Sequence, residues 1–196
     1  MGAGATSMTK YSVILADPPW SYSNSGIHGA ARNHYQTMTN EDIVALPIGE
    51  MSAQNSVLLL WATWPHLETA IKQVIPGWGF EYVTGFPWIK IADVPQVNLW
   101  GEVIYRPSWG QGWWVRGMSE MVLIARKGAA KYPETMFMGL LSERFEHSRK
   151  PENIYEYAES MPGPYLELFA RRPRPGWHVW GNEVVSDVEM FQNGTL

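Results

Sequence analysis

The chain contains no cysteine among its 196 residues. This absence excludes a disulfide framework, a thiolate nucleophile, and cysteine-bound zinc or iron–sulfur centres. No G-x-G-x-x-G loop follows a strand-like run, which counts against enzymes of nicotinamide cofactors or nucleoside triphosphates. The five histidines are not spaced as metal ligands, so we expect no metal site. Apolar runs are only as long as strands and nothing resembles a signal peptide or a membrane span, so we expect a cytoplasmic protein.

Positive charge is scarce overall and unevenly distributed. The formal net charge is -4 at pH 7, which argues against a stand-alone protein that coats nucleic acid. Between Arg106 and Arg174, however, 11 basic residues outnumber 8 acidic ones. The second half of the chain is therefore the half suited to meet phosphates.

The distribution of apolar residues predicts a single α/β domain. A chain with 45% hydrophobic content and this length can bury one sizeable core. Six strand-like runs alternate with helical stretches, as in a doubly wound sheet with helices on both faces. The expected strands are Tyr11–Ala16, Ser56–Trp61, Tyr82–Ile89, Glu120–Ala125, Tyr165–Phe169 and His178–Trp180. We expect a flexible leader over residues 1–10, the domain over 11–184 and a tail over 185–196.

Three helical stretches are expected between these strands. Thr39 followed by Asp42 is typical of a capping box that opens a short helix. Pro65 and Pro151 each stand where another helix begins. The third of these helices has apolar side chains spaced to one side. They are Ile154, Tyr155 and Ala158.

Two long stretches, Ser21–Met38 and Ala92–Gly117, show no clear period. Such loops in a compact domain are more often functional than idle, and open α/β sheets bind ligands beyond the carboxyl ends of their strands. In the second stretch, Arg116 lies beside several tryptophans, an alternation of cations and rings that single-strand binders use. The same pattern also fits packing over a sheet edge or at a subunit interface.

The sequence Asp17-Pro18-Pro19-Trp20 ends the first expected strand with a carboxylate and two residues that lack an N–H. An Asp17 oxygen and the Pro18 carbonyl together offer acceptors for both hydrogens of an exocyclic amine, and Trp20 offers a flat face to a flipped base. Acceptors of this kind localise the lone pair of adenine N6 and stabilise the charge that develops on it. The alternative is that Asp17 only caps a turn.

Four motifs in order resemble the adenine-N6 methyltransferase family of the messenger-RNA adenine methylation writers and their bacterial and phage DNA-modifying relatives. They are ADPPW, HYQTMTNEDIVALPI, HSRKPENIYEYAE and YLELFARRPRPGWHVWGNE. The resemblance covers about residues 13–184. It implies a Rossmann-like, circularly permuted methyltransferase sheet in which the catalytic motif precedes the cofactor-binding motif. It also implies S-adenosyl-L-methionine as cofactor.

The resemblance also implies roles for individual residues. Asp17, Pro18, Pro19 and Trp20 match the catalytic motif, with Asp17 near both the target amine and the cofactor. Residues matched to the cofactor site are Lys150 near its carboxylate, Glu167, Phe169 and Arg171 beside its adenosine, and Asn182 and Glu183 at its ribose and adenine. The expected substrate contacts are Trp20, Tyr35, Arg116 and His147.

We therefore expect a methyltransferase that acts on N6 of adenine in DNA by direct in-line transfer. RNA adenine and cytosine N4 are the alternative targets. A different class of protein, a non-catalytic nucleic-acid-binding subunit, is also compatible with the fold, although the intact Asp17 motif and Lys150 argue against it. Since no sizeable target-recognition domain is evident, a homodimer is one means of extending the footprint.

Overall fold

The computed structural model describes residues 9–21, 37–92, 96–110, 114–133, 139–143 and 149–190. Nine strands lie within these ranges. They are β1 (Tyr11–Ala16), β2 (Ser52–Ala62), β3 (Glu81–Ile91), β4 (Gln96–Val97), β5 (Val103–Ile104), β6 (Ser119–Lys127), β7 (Leu140–Glu143), β8 (Tyr165–Leu168) and β9 (Trp177–Trp180). All six strands expected from the sequence are confirmed, and β1 has the expected bounds.

Seven of the strands in the described ranges form one sheet, in the order β7-β3-β6-β2-β1-β8-β9. β1 runs parallel to β2 and β8, β8 runs parallel to β9, and β3 runs parallel to β7. β6 is antiparallel to both of its neighbours, β2 and β3. The predicted α/β class is therefore confirmed as a mixed, mostly parallel sheet.

The helices begin where the capping signals indicate. Asn40–Val44 follows Thr39, whose Oγ1 accepts a hydrogen bond from the Asp42 N–H at 3.1 Å. A short helix Ile48–Met51 comes next. Residues 64–77 form one continuous helical segment with a 3₁₀ start and a π-helical middle. The last helix, Asn153–Glu159, begins two residues after Pro151.

Helices cover both faces of the sheet because β1 and β2 are apolar on both sides. On one face, residues such as Ile14 and Leu58 pack with Ile43 and Ile75 of the first helices. On the other face, Val13, Leu15 and Leu59 pack with Ile154 and Ala158 of the last helix. Met190 is buried against the first face, so packing continues beyond the boundary expected at residue 184.

The strand directions bring several chain segments to one edge of the sheet. The parallel strands β1, β2, β3, β8 and β9 all end there, and antiparallel β6 begins there. Open α/β sheets bind ligands at this carboxyl edge. Residues that follow β1 and β8 therefore meet residues at the start of β6.

Candidate active site

The Asp17-Pro18-Pro19-Trp20 turn is fixed by backbone hydrogen bonds at the carboxyl edge. The Asp17 N–H donates to the Leu168 carbonyl at 3.4 Å, which ties the turn to the end of β8. The Trp20 N–H donates to the Pro18 carbonyl at 2.8 Å. Because a carbonyl oxygen has two lone pairs, Pro18 keeps one acceptor position. The rigid turn leaves the Asp17 carboxylate facing a cavity.

Trp20 lies in the core and differs from the open platform expected from the sequence. Its side chain is 5% exposed, and one face stacks on His66 with ring centroids 5.1 Å apart. Its indole N–H donates to the Trp61 carbonyl at 3.1 Å. A buried indole that has found its acceptor anchors the turn. The arrangement supports a positioning role for Trp20, and its contact with a base stays a prediction.

A chain of alternating charges runs from the turn across the sheet edge. Nζ of Lys150 lies 3.1 Å from Asp17 Oδ1 and 2.6 Å from Glu120 Oε2. Glu120 Oε1 in turn accepts from Lys90 Nζ at 2.5 Å. Lys150 also lies 4.8 Å above the Trp61 ring, which adds a cation–π contact. Four charged side chains thus form one hydrogen-bonded network.

Burial and mutual charge set the protonation behaviour of this network. Burial raises the pKa of Asp17 above its ordinary value, although the Lys150 ammonium acts in the opposite direction. Burial also acts to raise the pKa of Glu120, but Lys150 and Lys90 outweigh it and lower that pKa to about 2. The pKa of Lys150 is raised, because the two carboxylates outweigh burial. Glu120 is therefore the anion that two cations stabilise, and Asp17 is the less stabilised carboxylate.

Glu120 and Lys90 were not among the residues singled out from the sequence. Each is a single charged residue near the end of an apolar strand, and no local motif marks it. Glu120 reaches the site because β6 runs antiparallel and so begins at the edge where β1 ends. Only the order and direction of the strands could have identified Glu120 as a residue of the site.

A cavity of about 350 Å³ opens beside Asp17. Six of the seven residues expected at a cofactor site line it. They are Asp17, Lys150, Glu167, Phe169, Arg171 and Glu183. The seventh, Asn182, is exposed and is not part of the lining. Tyr155 and Arg172 also line the cavity, although the sequence did not indicate them.

Glu167 extends from β8 into this cavity and is bonded to Tyr155. The Tyr155 hydroxyl donates to Glu167 Oε1 at 2.9 Å. Burial raises the pKa of Glu167 to about 7; the Tyr155 bond acts against this rise and the charge of Asp17 adds to it. The pKa of Tyr155 is itself raised, first by burial and then by the charge of Glu167. Tyr155 was expected on the apolar face of its helix, but its hydroxyl is a polar contact inside the cavity.

The turn after β8 adopts a constrained backbone. Phe169 has a φ of 63°, which is uncommon for a residue with a side chain and is a form of strain found at functional sites. Its ring meets the edge of Trp180 with centroids 5.3 Å apart. A Cβ at Gly181 would overlap the Ala170 backbone, so only glycine permits this approach of the two chain segments. Arg171 Nε then lies 3.7 Å from Glu183 Oε1 across the cavity rim.

The remaining expected substrate residues are distributed as follows. Arg116 is exposed, and its guanidinium lies 3.7 Å above the Trp109 ring, which is 52% exposed. Tyr35 and His147 lie outside the described residues.

Within the described ranges, no group of three or more His, Cys, Asp or Glu residues is arranged to hold a metal ion. No helix in those ranges is both long and apolar enough to cross a bilayer.

The mostly parallel sheet, with an acidic turn beside a cavity of mixed charge at its carboxyl edge, is consistent with a Rossmann-like methyltransferase fold. The chain belongs to the MT-A70 family, whose model matches residues 11–183. The family resemblance given by the four motifs is thereby confirmed.

Individual relatives share this family relationship at low identity. The chain is 29% identical to the type II methyltransferase M.MunI of Mycoplasma sp over 198 residues, which cover 89% of this chain and 78% of that protein. It is 28% identical to the human N(6)-adenine-specific methyltransferase METTL4, covering 89% of this chain and 38% of METTL4. It is also 28% identical to the N6-methyladenosine RNA methyltransferase MTA1 of Pyricularia oryzae, covering 91% of this chain and 48% of MTA1. The chain thus spans most of M.MunI but less than half of METTL4 and MTA1.

Proposed function

We propose that the protein is an S-adenosyl-L-methionine-dependent methyltransferase that acts on N6 of adenine in DNA. The observation that carries the proposal is the position of Asp17, which directly follows β1 and lines the cavity together with five other residues expected at the cofactor site. An acceptor beside a methyl-donor pocket is what a direct transfer to an amine requires.

The residues of the cavity fit the proposed cofactor. Lys150 supplies positive charge for its carboxylate, and Glu167 and Glu183 supply acceptors for the hydroxyl and amino groups of its adenosine. Phe169 supplies an aromatic surface at the turn after β8. When bound, S-adenosyl-L-methionine supplies an electrophilic methyl group on a sulfonium centre. Since this cofactor has no phosphate, the absence of a glycine-rich phosphate loop does not count against it.

Asp17 is the proposed catalytic acceptor. An oxygen of Asp17 and the remaining lone pair of the Pro18 carbonyl draw the hydrogens of the target amine out of the ring plane, and the nitrogen lone pair then becomes nucleophilic. As the nitrogen forms its bond to the methyl carbon, the carbon–sulfur bond of the donor would break and its electron pair would pass to sulfur, giving a neutral thioether. The acceptors stabilise the positive charge that develops on the nitrogen. The surplus proton leaves to the Asp17 carboxylate or to water.

Lys150 and Glu120 adjust the charge of Asp17. The Lys150 ammonium, 3.1 Å from Asp17, favours the ionised acceptor that burial alone would disfavour. Glu120 shares that ammonium, and its negative charge acts to raise the pKa of Asp17. Lys150 is therefore the group that favours the ionised, hydrogen-bond-accepting form of Asp17.

DNA is the proposed substrate because the alignment with a type II methyltransferase spans most of that relative. RNA is the second candidate, since MTA1, which is named for RNA, also matches.

The strand order supports a permuted sheet, because β1 with its catalytic turn precedes β8, which carries Glu167. We further propose a cytoplasmic location, and a homodimer as one means by which the enzyme extends its footprint on the nucleic acid.

The test is incubation with tritiated S-adenosyl-L-methionine and separate pools of single-stranded DNA, duplex DNA and RNA, followed by nucleoside analysis. We expect labelled N6-methyladenine from a DNA pool. Label in RNA alone would favour the second candidate, and label on cytosine would contradict adenine specificity. A complete lack of label together with nucleic-acid binding would identify a non-catalytic subunit.

A further inference from the structure

Tyr155 makes a polar contact that neither the fold nor the catalytic turn requires. It projects from the helix Asn153–Glu159 into the cavity and donates to Glu167 Oε1 at 2.9 Å. The bond uses one lone pair of Oε1, so that Oε2 keeps both of its lone pairs for a ligand's donors. A carboxylate held at one oxygen has lost the rotational freedom that binding would otherwise have to remove.

The Tyr155 ring is itself held in place from outside the cavity. The Arg174 guanidinium lies 3.9 Å above the ring, and the Trp177 ring meets it edge-on with centroids 5.4 Å apart. Arg174 Nη1 lies 3.0 Å from Glu152 Oε2, and its Nε lies 3.1 Å from Glu159 Oε1. A planar guanidinium fixed at two ends is a stable surface for an aromatic ring.

These contacts connect two segments that border the cofactor cavity. Glu152 immediately precedes the last helix, Glu159 is its last residue, and Arg174 belongs to the turn that follows β8. Glu159 Oε1 also accepts from the Trp177 indole N–H at 2.8 Å, which extends the network to β9. The helix, the turn and the strand therefore hold one tyrosine hydroxyl at a fixed point in the cavity.

We infer that Tyr155 is a positioning residue, which holds the Glu167 carboxylate so that its second oxygen accepts hydrogen bonds from the ribose hydroxyls of the cofactor, and that Arg174 orients the Tyr155 ring. Glu167 lies within β8 near the carboxyl edge, where open α/β sheets bind their ligands, and a carboxylate can accept hydrogen bonds from both hydroxyls of a ribose. The inference rests on the proposed function. It adds two residues to the cofactor site that act through Glu167.

The charged surroundings of Glu167 make the role of the hydroxyl measurable. Asp17 faces Glu167 from the end of β1, Tyr155 faces it from the helix, and Arg172 and Arg174 act on it from the turn. The Tyr155 hydrogen bond favours the ionised carboxylate. Loss of that bond therefore raises the pKa of Glu167 further and moves ligand binding to higher pH.

The experiment compares the wild-type chain with Tyr155→Phe, which removes the hydroxyl and keeps the ring. Calorimetry measures the binding of S-adenosylhomocysteine and of its 2′,3′-dideoxy analogue from pH 6 to pH 9. We expect Tyr155→Phe to bind S-adenosylhomocysteine about two- to tenfold more weakly, because the ligand must then order the released Glu167 side chain itself. We expect almost no loss for the dideoxy analogue, and a binding profile shifted to higher pH.

Tyr157→Phe is the matched control, because it makes the same substitution on the same helix at a ring that packs on Phe86. Arg174→Lys is a second variant, which keeps the charge but loses the planar surface. It should show the same ribose-dependent loss to a smaller degree, and it provides the test if Tyr155→Phe does not fold. Equal weakening for both ligands, or an unchanged profile, would overturn the positioning role. A wild-type chain that binds neither ligand would overturn the proposed function instead.

Discussion

Lys150 and Asp17 face each other at 3.1 Å where the end of β1 meets the start of the last helical region. The pair is not isolated, because Glu120 Oε2 lies 2.6 Å from Nζ of the same lysine. Buried charges of this kind are maintained only when each is paired, so changing one partner alters the charge state of the others. The network therefore connects catalysis at Asp17 with stability at Glu120.

Asp17→Asn should abolish methyl transfer while it preserves much of the cofactor site. The amide keeps the shape of the side chain but loses the negative charge and one acceptor that the reacting amine needs. Because removal of one electrostatic contact of this type costs about 100-fold or more in rate, we expect at least that loss in kcat. Calorimetry with S-adenosylhomocysteine should show a much smaller change.

The control is Asp42→Asn, a substitution of an exposed aspartate near the start of a helix. Full activity in Asp17→Asn would refute the catalytic assignment.

Lys150→Met should shift the pH dependence of the reaction. Without the ammonium, the pKa of Asp17 rises further because burial and the Glu120 charge both act to raise it. The acid limb of the kcat/KM profile should therefore move to higher pH, and cofactor affinity should fall. Lys127→Met is the control, since Lys127 bonds to Gly49 and Ser52 at the opposite edge of the sheet. An unshifted profile with unchanged affinity would remove Lys150 from the site.

Glu120→Gln should reduce stability at neutral pH and leave it unchanged in strong acid. The folded pKa of Glu120 is lowered to about 2, so its stabilising contribution is present above the ordinary carboxyl pKa and disappears as the pH falls toward 2. We expect a loss of roughly 2 to 3 kcal/mol in the free energy of unfolding at pH 7.

Denaturant unfolding of Glu120→Gln at several pH values checks this expectation. Glu81→Gln serves as the control, because Glu81 is exposed and lies 3.8 Å from Arg126 in a surface ion pair. It should change stability by less than about 1 kcal/mol. A Glu120→Gln effect that stays constant down to acid pH would show that the charge network does not stabilise the fold.

The sequence predicted the sheet well because its central strands are recognisable locally. β1 was predicted with its correct bounds, since an apolar β-branched run ends abruptly at Asp17-Pro18. The two-residue strands β4 and β5 lie in a stretch that showed no period, and the four-residue strand β7 was also missed. Two residues are too few for an alternation to be detected, whereas β7 is as long as β8 and β9 but lies outside the four motifs.

Contiguous motifs predict most of the candidate-site residues that line the cavity, whereas the residues that only the strand topology brings there were missed. Glu167, Phe169 and Arg171 lie in one short stretch that the family resemblance identified. Glu120 and Lys90 enter the site from β6 and β3, and only the antiparallel pairing places them there. Trp20 was expected to be open because tryptophan faces often bind bases, but its N–H found an acceptor in Trp61 inside the core.

Glu167→Gln should make the ligand-free protein more stable, compared with the wild type, at alkaline pH than at acid pH. Burial raises the folded pKa of Glu167 to about 7, so the folded state holds its proton more tightly than the unfolded state does. The stabilising contribution is complete below the ordinary carboxyl pKa and is lost as the pH rises through about 7. The neutral amide cannot ionise, so the variant avoids this loss.

Thermal and denaturant unfolding at pH 5 and pH 8.5 measures the effect. From pH 5 to pH 8.5, the free energy of unfolding of Glu167→Gln should rise by about 2 kcal/mol relative to that of the wild type. Glu156→Gln, an exposed carboxylate of the neighbouring helix, should show almost no such difference. The same pH dependence in wild type and Glu167→Gln would contradict a raised pKa for Glu167.

Arg116→Ala should lower the affinity for nucleic acid and make that affinity less dependent on salt. The Arg116 guanidinium lies 3.7 Å above the exposed Trp109 ring, so a cation and a stacking surface are presented side by side. If Arg116 meets a phosphate, its loss should reduce the slope of log affinity against log salt by about 1. Anisotropy of a labelled DNA strand, titrated at several salt concentrations, provides the slope. The control is Arg126→Ala, at the end of β6 remote from the carboxyl edge, which should leave the slope unchanged. Equal slopes for wild type and Arg116→Ala would mean that the Trp109–Arg116 pair serves packing instead of substrate binding.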